Sequence, residues 1–96
     1  MKLEIFSLIG CPYSIKAEAL LKLYKPIIHK VDQNDKDKYK QENNMNTFPQ
    51  IFLLNDQKKI KIGGYTDVKN LLSKIFKNEQ INLDNSEEII KFFLNK

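Results

Sequence analysis

Between Leu8 and Leu21 the chain reads LIGCPYSIKAEALL, and within it the spacing of apolar residues changes from that of a strand to that of a helix at Gly10–Cys11–Pro12. Before the junction, KLEIFSL (Lys2 to Leu8) places Leu3 and Ile5 among mostly apolar neighbours, which suits a short, largely buried strand. After it, Ala17, Leu20, Leu21 and Tyr24 follow an i, i+3, i+4, i+7 pattern, so a helix is expected from Pro12 to Tyr24. Pro12 fits the first helical position, where its missing N–H is not needed. Pro26 stops that helix, and the β-branched run IIHKVD (Ile27 to Asp32) is expected to form a second strand. If the helix is a crossover, the two strands lie parallel and the unit is βαβ.

The remaining chain supplies partners for that unit. NDKDKYKQENN (Asn34 to Asn44) is polar throughout and reads as a short solvated helix. FPQIFLL (Phe48 to Leu54) and KKIKIGG (Lys58 to Gly64) are strand-like runs around a short turn, a hairpin pattern. Val68, Leu71, Leu72, Ile75 and Phe76 then recur at helical spacing, with Thr66 or Asp67 as the expected cap. A last helix is expected from about Ser86 to Leu94, where Asn85 and Glu88 have capping-box spacing and Ile89, Ile90, Phe92 and Phe93 supply apolar surface. The order βαβ, α, ββα, α implies an α/β fold: a four-stranded mixed sheet flanked by helices, with an extra C-terminal helix. Residues 1–96 are expected to form one domain, since the chain is well above the roughly 40 residues below which staples are usually needed.

Composition narrows the chemistry. A single cysteine excludes an internal disulfide framework and a multi-cysteine zinc site, leaving either a buried small hydrophobe or a reactive thiol in a reducing compartment. MKLEIF does not resemble a signal peptide, and no apolar run approaches the roughly 20 residues of a membrane span, so a soluble, cytoplasmic protein is expected, with no membrane partner. The net charge of +4 comes from lysine with no arginine, which argues against nucleic acid as a partner, because base and phosphate readers lean on bidentate Arg. It suits solubility, with mild attraction for anionic small molecules. A monomer is the expectation for a domain of this size.

Cys11 is the centre of interest. A thiol at a helix start faces unpaired backbone N–H groups and the positive end of the helix dipole, both of which favour the thiolate. Gly10 and Pro12 on either side make a turn and a helix start, which a mere filler of space does not need. CPYS (Cys11 to Ser14), TFPQIF (Thr47 to Phe52) and GGYTD (Gly63 to Asp67), in this order and at these separations, resemble the three signatures of the glutaredoxins, over residues 3–76. The resemblance implies a thioredoxin-like fold, glutathione as co-substrate, and exchange on glutathionylated proteins or small mixed disulfides. It implies a catalytic group of Cys11 as nucleophile with Pro12, Tyr13 and Ser14 around it. It also implies a cis bond before Pro49, with Phe48 offering its backbone to the cysteinyl part of glutathione. Gly64, Thr66 and Asp67 correspond to residues that hold the γ-glutamyl end, Tyr13 to one that packs on the tripeptide, and Lys36 to one that faces the glycine carboxylate. His29, in mid-strand, and Met45, in a loop, read as structural residues.

Three departures refine that expectation. Ser14 stands where dithiol relatives have cysteine, so no internal disulfide forms and glutathione itself must resolve the mixed disulfide; one turn from the thiol, its hydroxyl is expected to donate to the Cys11 sulfur. Leu8 stands where many relatives carry a lysine that contacts glutathione and favours the thiolate, which points to weaker reactivity. CPYS is not the CGFS of the cluster-carrying branch, which makes a 2Fe–2S cluster held by Cys11 and glutathione the second reading. Three functions follow: a glutathione-dependent oxidoreductase removing glutathione from mixed disulfides by a one-thiol route; an iron–sulfur module, seen as a coloured dimer; and a low-activity thioredoxin-fold interaction domain, which Leu8 favours.

Overall fold

The structure is a computed structural model and describes residues 1–94. Strand β1 (Lys2–Leu8) leads into helix α1 (Pro12–Leu20), then β2 (Ile27–Val31), α2 (Lys36–Asn43), the hairpin β3 (Gln50–Asn55) and β4 (Lys58–Gly63), α3 (Tyr65–Phe76) and α4 (Ser86–Leu94). The four strands form one sheet in the order β2-β1-β3-β4. β1 pairs with β2 in parallel and with β3 antiparallel, and β3 pairs antiparallel with β4, so the expected mixed α/β sheet is the one formed.

Side-chain alternation along β1 sorts the core into two layers. Leu3 and Ile5 join Ile51 and Leu53 beneath Ala17 and Leu21 of α1, Val68, Leu72 and Ile75 of α3, and Ile89 and Phe93 of α4. Phe6 faces the other way and packs with Val31, Phe48 and Phe52, with Tyr39 of α2 against them. Each fully buried Leu, Ile or Phe contributes about 1.5–3 kcal/mol. The larger layer therefore anchors α1 against the sheet, and with it the junction that carries the thiol.

Four details of the helices depart from expectation. The first helix ends at Leu20, and Lys22–Tyr24 is a separate 3-10 turn closed by Lys25 in the left-handed region, φ 52°. Its buried stripe is Ser14, Ala17 and Leu21, while Leu20 is 37% exposed, because a serine that is bonded inside fills a core-facing position that hydropathy gives to leucine. Helix α2 starts only at Lys36, since Asp32 caps a 3-10 turn over Gln33–Asp35 first. The cap of α3 is Gly64 rather than Thr66 or Asp67; Asp67 is its third helical residue and accepts the Gly64 N–H at 2.9 Å. At α4, among the described residues, no hydrogen bond returns from the Glu88 side chain to the Asn85 N–H as a capping box requires. Asn85 has φ 62°, and the Glu88 carboxylate is drawn instead to Asn55 and Lys58 of the hairpin, which ties the helix to the sheet.

Candidate active site

The site is built where three junctions meet: the exit of β1, the entry to β3 and the entry to α3. Cys11 is the N-cap of α1 with extended backbone, φ −90° and ψ 119°, and Pro12 follows as the first helical residue. Its carbonyl accepts Ile15 N–H at 3.1 Å, which leaves the N–H groups of Tyr13 and Ser14 without an intrahelical acceptor at the end of the helix that bears the thiol. The thiol is half-buried.

Across from it, the Phe48–Pro49 peptide is cis. The Phe48 carbonyl oxygen lies 3.9 Å from Cys11 Sγ, at the outer limit for a thiol hydrogen bond, while the Phe48 ring is buried in the smaller core layer. β3 accordingly begins at Gln50 and not at Phe48.

Next to this pair runs an open groove of about 200 Å³ lined by Tyr13, Thr47, Phe48, Gly64, Tyr65, Thr66 and Asp67. Gly63 has φ 134°, and a Cβ there would meet Asp67 Oδ2 at 2.5 Å, so glycine is required for the Asp67 carboxylate to reach back over the helix start. Tyr13 is 54% exposed, with its ring 6.0 Å from that of Tyr65 and the Lys16 ammonium over its face.

The groove therefore gathers Tyr13, Phe48, Gly64, Thr66 and Asp67 beside Cys11. Thr47 and Tyr65, which carried no role in the sequence, line it too; both lie inside the TFPQIF and GGYTD stretches. Pro12 and Pro49 shape the two approaches without lining the groove. Lys36, the first residue of α2, is half-buried and does not line it either.

Ser14 is placed differently from its expected role. It is wholly buried, and its oxygen accepts the Leu8 N–H at 3.0 Å; among the described residues no hydrogen bond joins it to the Cys11 sulfur. Leu8 is half-buried against the layer of Phe6, Val31, Phe48 and Phe52, joined there by Met45. His29 stacks on Phe6 with centroids 4.6 Å apart and pairs with Glu4 at 2.8 Å, on the α2 face of the sheet. Among the described residues no three His, Cys, Asp or Glu side chains come together as a metal site. No helix of the described residues is long and apolar enough to cross a membrane.

Comparison with known proteins agrees with this geometry. The glutaredoxin family model matches residues 3–58. Glutaredoxin 1 of Rickettsia prowazekii (strain Madrid E) is 38% identical over 73 residues, spanning 70% of this chain and 73% of that protein. Among solved structures, the crystal structure of glutaredoxin 1 from Francisella tularensis complexed with cacodylate is similar, with TM-score 0.58 and 25% identity over 79% of this chain and 96% of that one. Reduced Escherichia coli glutaredoxin matches with TM-score 0.50 and 32% identity, over 77% of this chain and 95% of that one.

Proposed function

This chain belongs to the glutaredoxin family of thiol oxidoreductases, and from that premise we propose that it takes glutathione off mixed disulfides by a one-thiol route with Cys11 as nucleophile. The observation that carries the proposal is the approach of Cys11 Sγ to Phe48 O at the head of a groove that ends at Gly64, Thr66 and Asp67.

In the first step the Cys11 thiolate attacks the glutathionyl sulfur of a protein or small-molecule mixed disulfide. The Cys11–glutathione disulfide forms, the substrate S–S bond breaks, and the substrate sulfur leaves as a thiolate that takes a proton from water. In the second, a glutathione thiolate attacks the glutathionyl sulfur of that intermediate, releasing oxidised glutathione and restoring the Cys11 thiolate. No second cysteine exists in the chain to compete with that step.

The groove suits a γ-glutamyl tripeptide. The backbone of Phe48 is available to pair with its cysteinyl unit as a short strand. At the start of α3, backbone N–H groups favour the α-carboxylate, and Asp67, which spends only Oδ2 on Gly64, keeps its other oxygen for the ammonium. Tyr13 and Tyr65 offer aromatic faces with Lys16 and Lys69 above them, an environment favourable to a peptide of net negative charge. Lys36 is assigned the glycine carboxylate. The protein acts as a monomer in a reducing, cytoplasmic setting.

Incubation with oxidised glutathione followed by intact-mass and fragment analysis tests the reading. One glutathione per chain, mapped to Cys11 and discharged by free glutathione, is expected; a chain that stays unmodified overturns it.

A further inference from the structure

We propose that Gln33 is a positioning residue for Cys11: its side-chain amide locks the turn that carries the thiol. The proposal rests on the reading of Cys11 as nucleophile, and it concerns a residue outside the three motifs.

Leu8 to Cys11 form a β-turn closed by the Cys11 N–H on Leu8 O at 3.1 Å. Gly10, the third residue, has φ 85°, which makes it the type II form. In that form the central peptide turns the Ile9 carbonyl to one face of the turn, and the type I form turns it to the other. Glycine tolerates both, so the turn does not choose for itself.

The choice is made from outside. Gln33 Nε2 donates to Ile9 O at 2.9 Å and also lies 3.9 Å from where a Gly10 Cβ would point, so the amide spans the turn. Ile9 N–H is held by Val31 O at 2.9 Å, which means that β2 and the residues just after it fix both polar groups of Ile9. The donor is itself held in place, because the Asp32 side chain accepts Asn34 N–H at 3.1 Å and Asp35 N–H bonds to Asp32 O at 2.9 Å around the Gln33–Asp35 turn. A flip of the Ile9–Gly10 peptide would strip Gln33 of its acceptor and shift the residue next to the N-cap. Since Cys11 follows at once, the distance from Sγ to Phe48 O depends on this lock.

The test compares Gln33→Met, of similar length but without a donor, and Gln33→Ala with the unaltered protein and with Gln41→Met on the exposed side of α2. Amide hydrogen exchange at Cys11 is expected to quicken and iodoacetamide alkylation of Cys11 at one fixed pH to slow, each by about three- to tenfold, the scale of one lost hydrogen bond. In glutathione turnover kcat should fall by a similar factor with KM for glutathione changed by less than about twofold, a split expected when the nucleophile and not the binding site is displaced. Gln41→Met should leave all three unchanged. If both Gln33 variants keep the parental exchange and alkylation rates, the proposal is overturned, and a lower melting temperature alone does not rescue it. Exchange and alkylation need no glutathione, so they decide the role of Gln33 even if the unaltered protein shows no turnover and the proposed function falls.

Discussion

Ser14 Oγ accepts the backbone N–H of Leu8 at 3.0 Å, so the residue one turn from the thiol fastens the start of α1 to the end of β1. The bond answers a need of the sheet. Pairing of β1 with β3 ends at Phe6–Gln50, and Ile9 N–H points to β2, so Leu8 N–H faces the side where β3 no longer offers a partner. Ser14→Ala should therefore cost about 1–3 kcal/mol, the penalty of a buried donor left unsatisfied, measured by denaturant unfolding. A cost below a few tenths would mean that the bond contributes nothing.

Ser14→Cys should change the chemistry as well as the packing. A second thiol at this position gives Cys11 an internal partner, and the oxidised variant should lose two hydrogens in intact mass without gaining glutathione. Reduction of protein disulfides through that internal disulfide should then appear, and the one-thiol proposal expects none from the parent.

Leu8→Lys tests the departure at the strand end. Leu8 is half-buried against Phe6 and Val31, and a lysine stem can cover the same surface while its ammonium reaches water. A stability change below about 1 kcal/mol is expected. Alkylation of Cys11 at neutral pH should quicken and KM for glutathione should fall, each several-fold; unchanged kinetics would show that Leu8 does not limit the site.

Asp67→Asn separates capping from recognition. Asn can still accept the Gly64 N–H, so helix α3 should lose only about 0.5 kcal/mol from the weaker dipole interaction. KM for glutathione should rise about tenfold through the lost charge on the ammonium, as one charge-assisted hydrogen bond warrants.

The ion pair under α1 gives a pH dependence. Lys30 Nζ lies 2.8 Å from Glu18 Oε2 and Ser7 donates to the same carboxylate; the Lys30 hydrogen bond, then that from Ser7, holds the Glu18 carboxyl below the usual glutamate range. A depressed folded value means that its stabilisation is complete above the ordinary value and fades as pH falls through the lowered one. Glu18→Gln should be about 1 kcal/mol less stable at pH 7, a modest figure because Lys30 is largely exposed. The gap should close in acid, as followed by unfolding between about pH 7 and pH 3.

Much of this architecture is legible from local rules. Gly10 and Pro12 announce a turn and a helix start around Cys11, and the two apolar runs about Asp56 make the hairpin, whereas the first helix ends at Leu20, well before Pro26. What hides from those rules is polar and long-range. Ser14 takes a core position because the amide of Leu8, six residues earlier at the end of a strand, needs an acceptor, and hydropathy cannot register that. Glu88 has the spacing of a cap, yet Asn55 and Lys58, more than thirty positions earlier or close to it, compete for its carboxylate and win. The Gly64 cap is missed because glycine offers no side chain to recognise, and only the return of Asp67 reveals it. Gln33 sits in a polar run without any motif; only the fold brings it to Ile9.

Turnover of a small glutathione mixed disulfide, coupled to regeneration of glutathione, tests the central claim most directly. The parent should turn over in proportion to protein added, Cys11→Ser should be inactive, and Ser14→Ala should keep activity, since no second thiol takes part. Absence of turnover in the folded parent, or equal turnover in Cys11→Ser, would contradict the account.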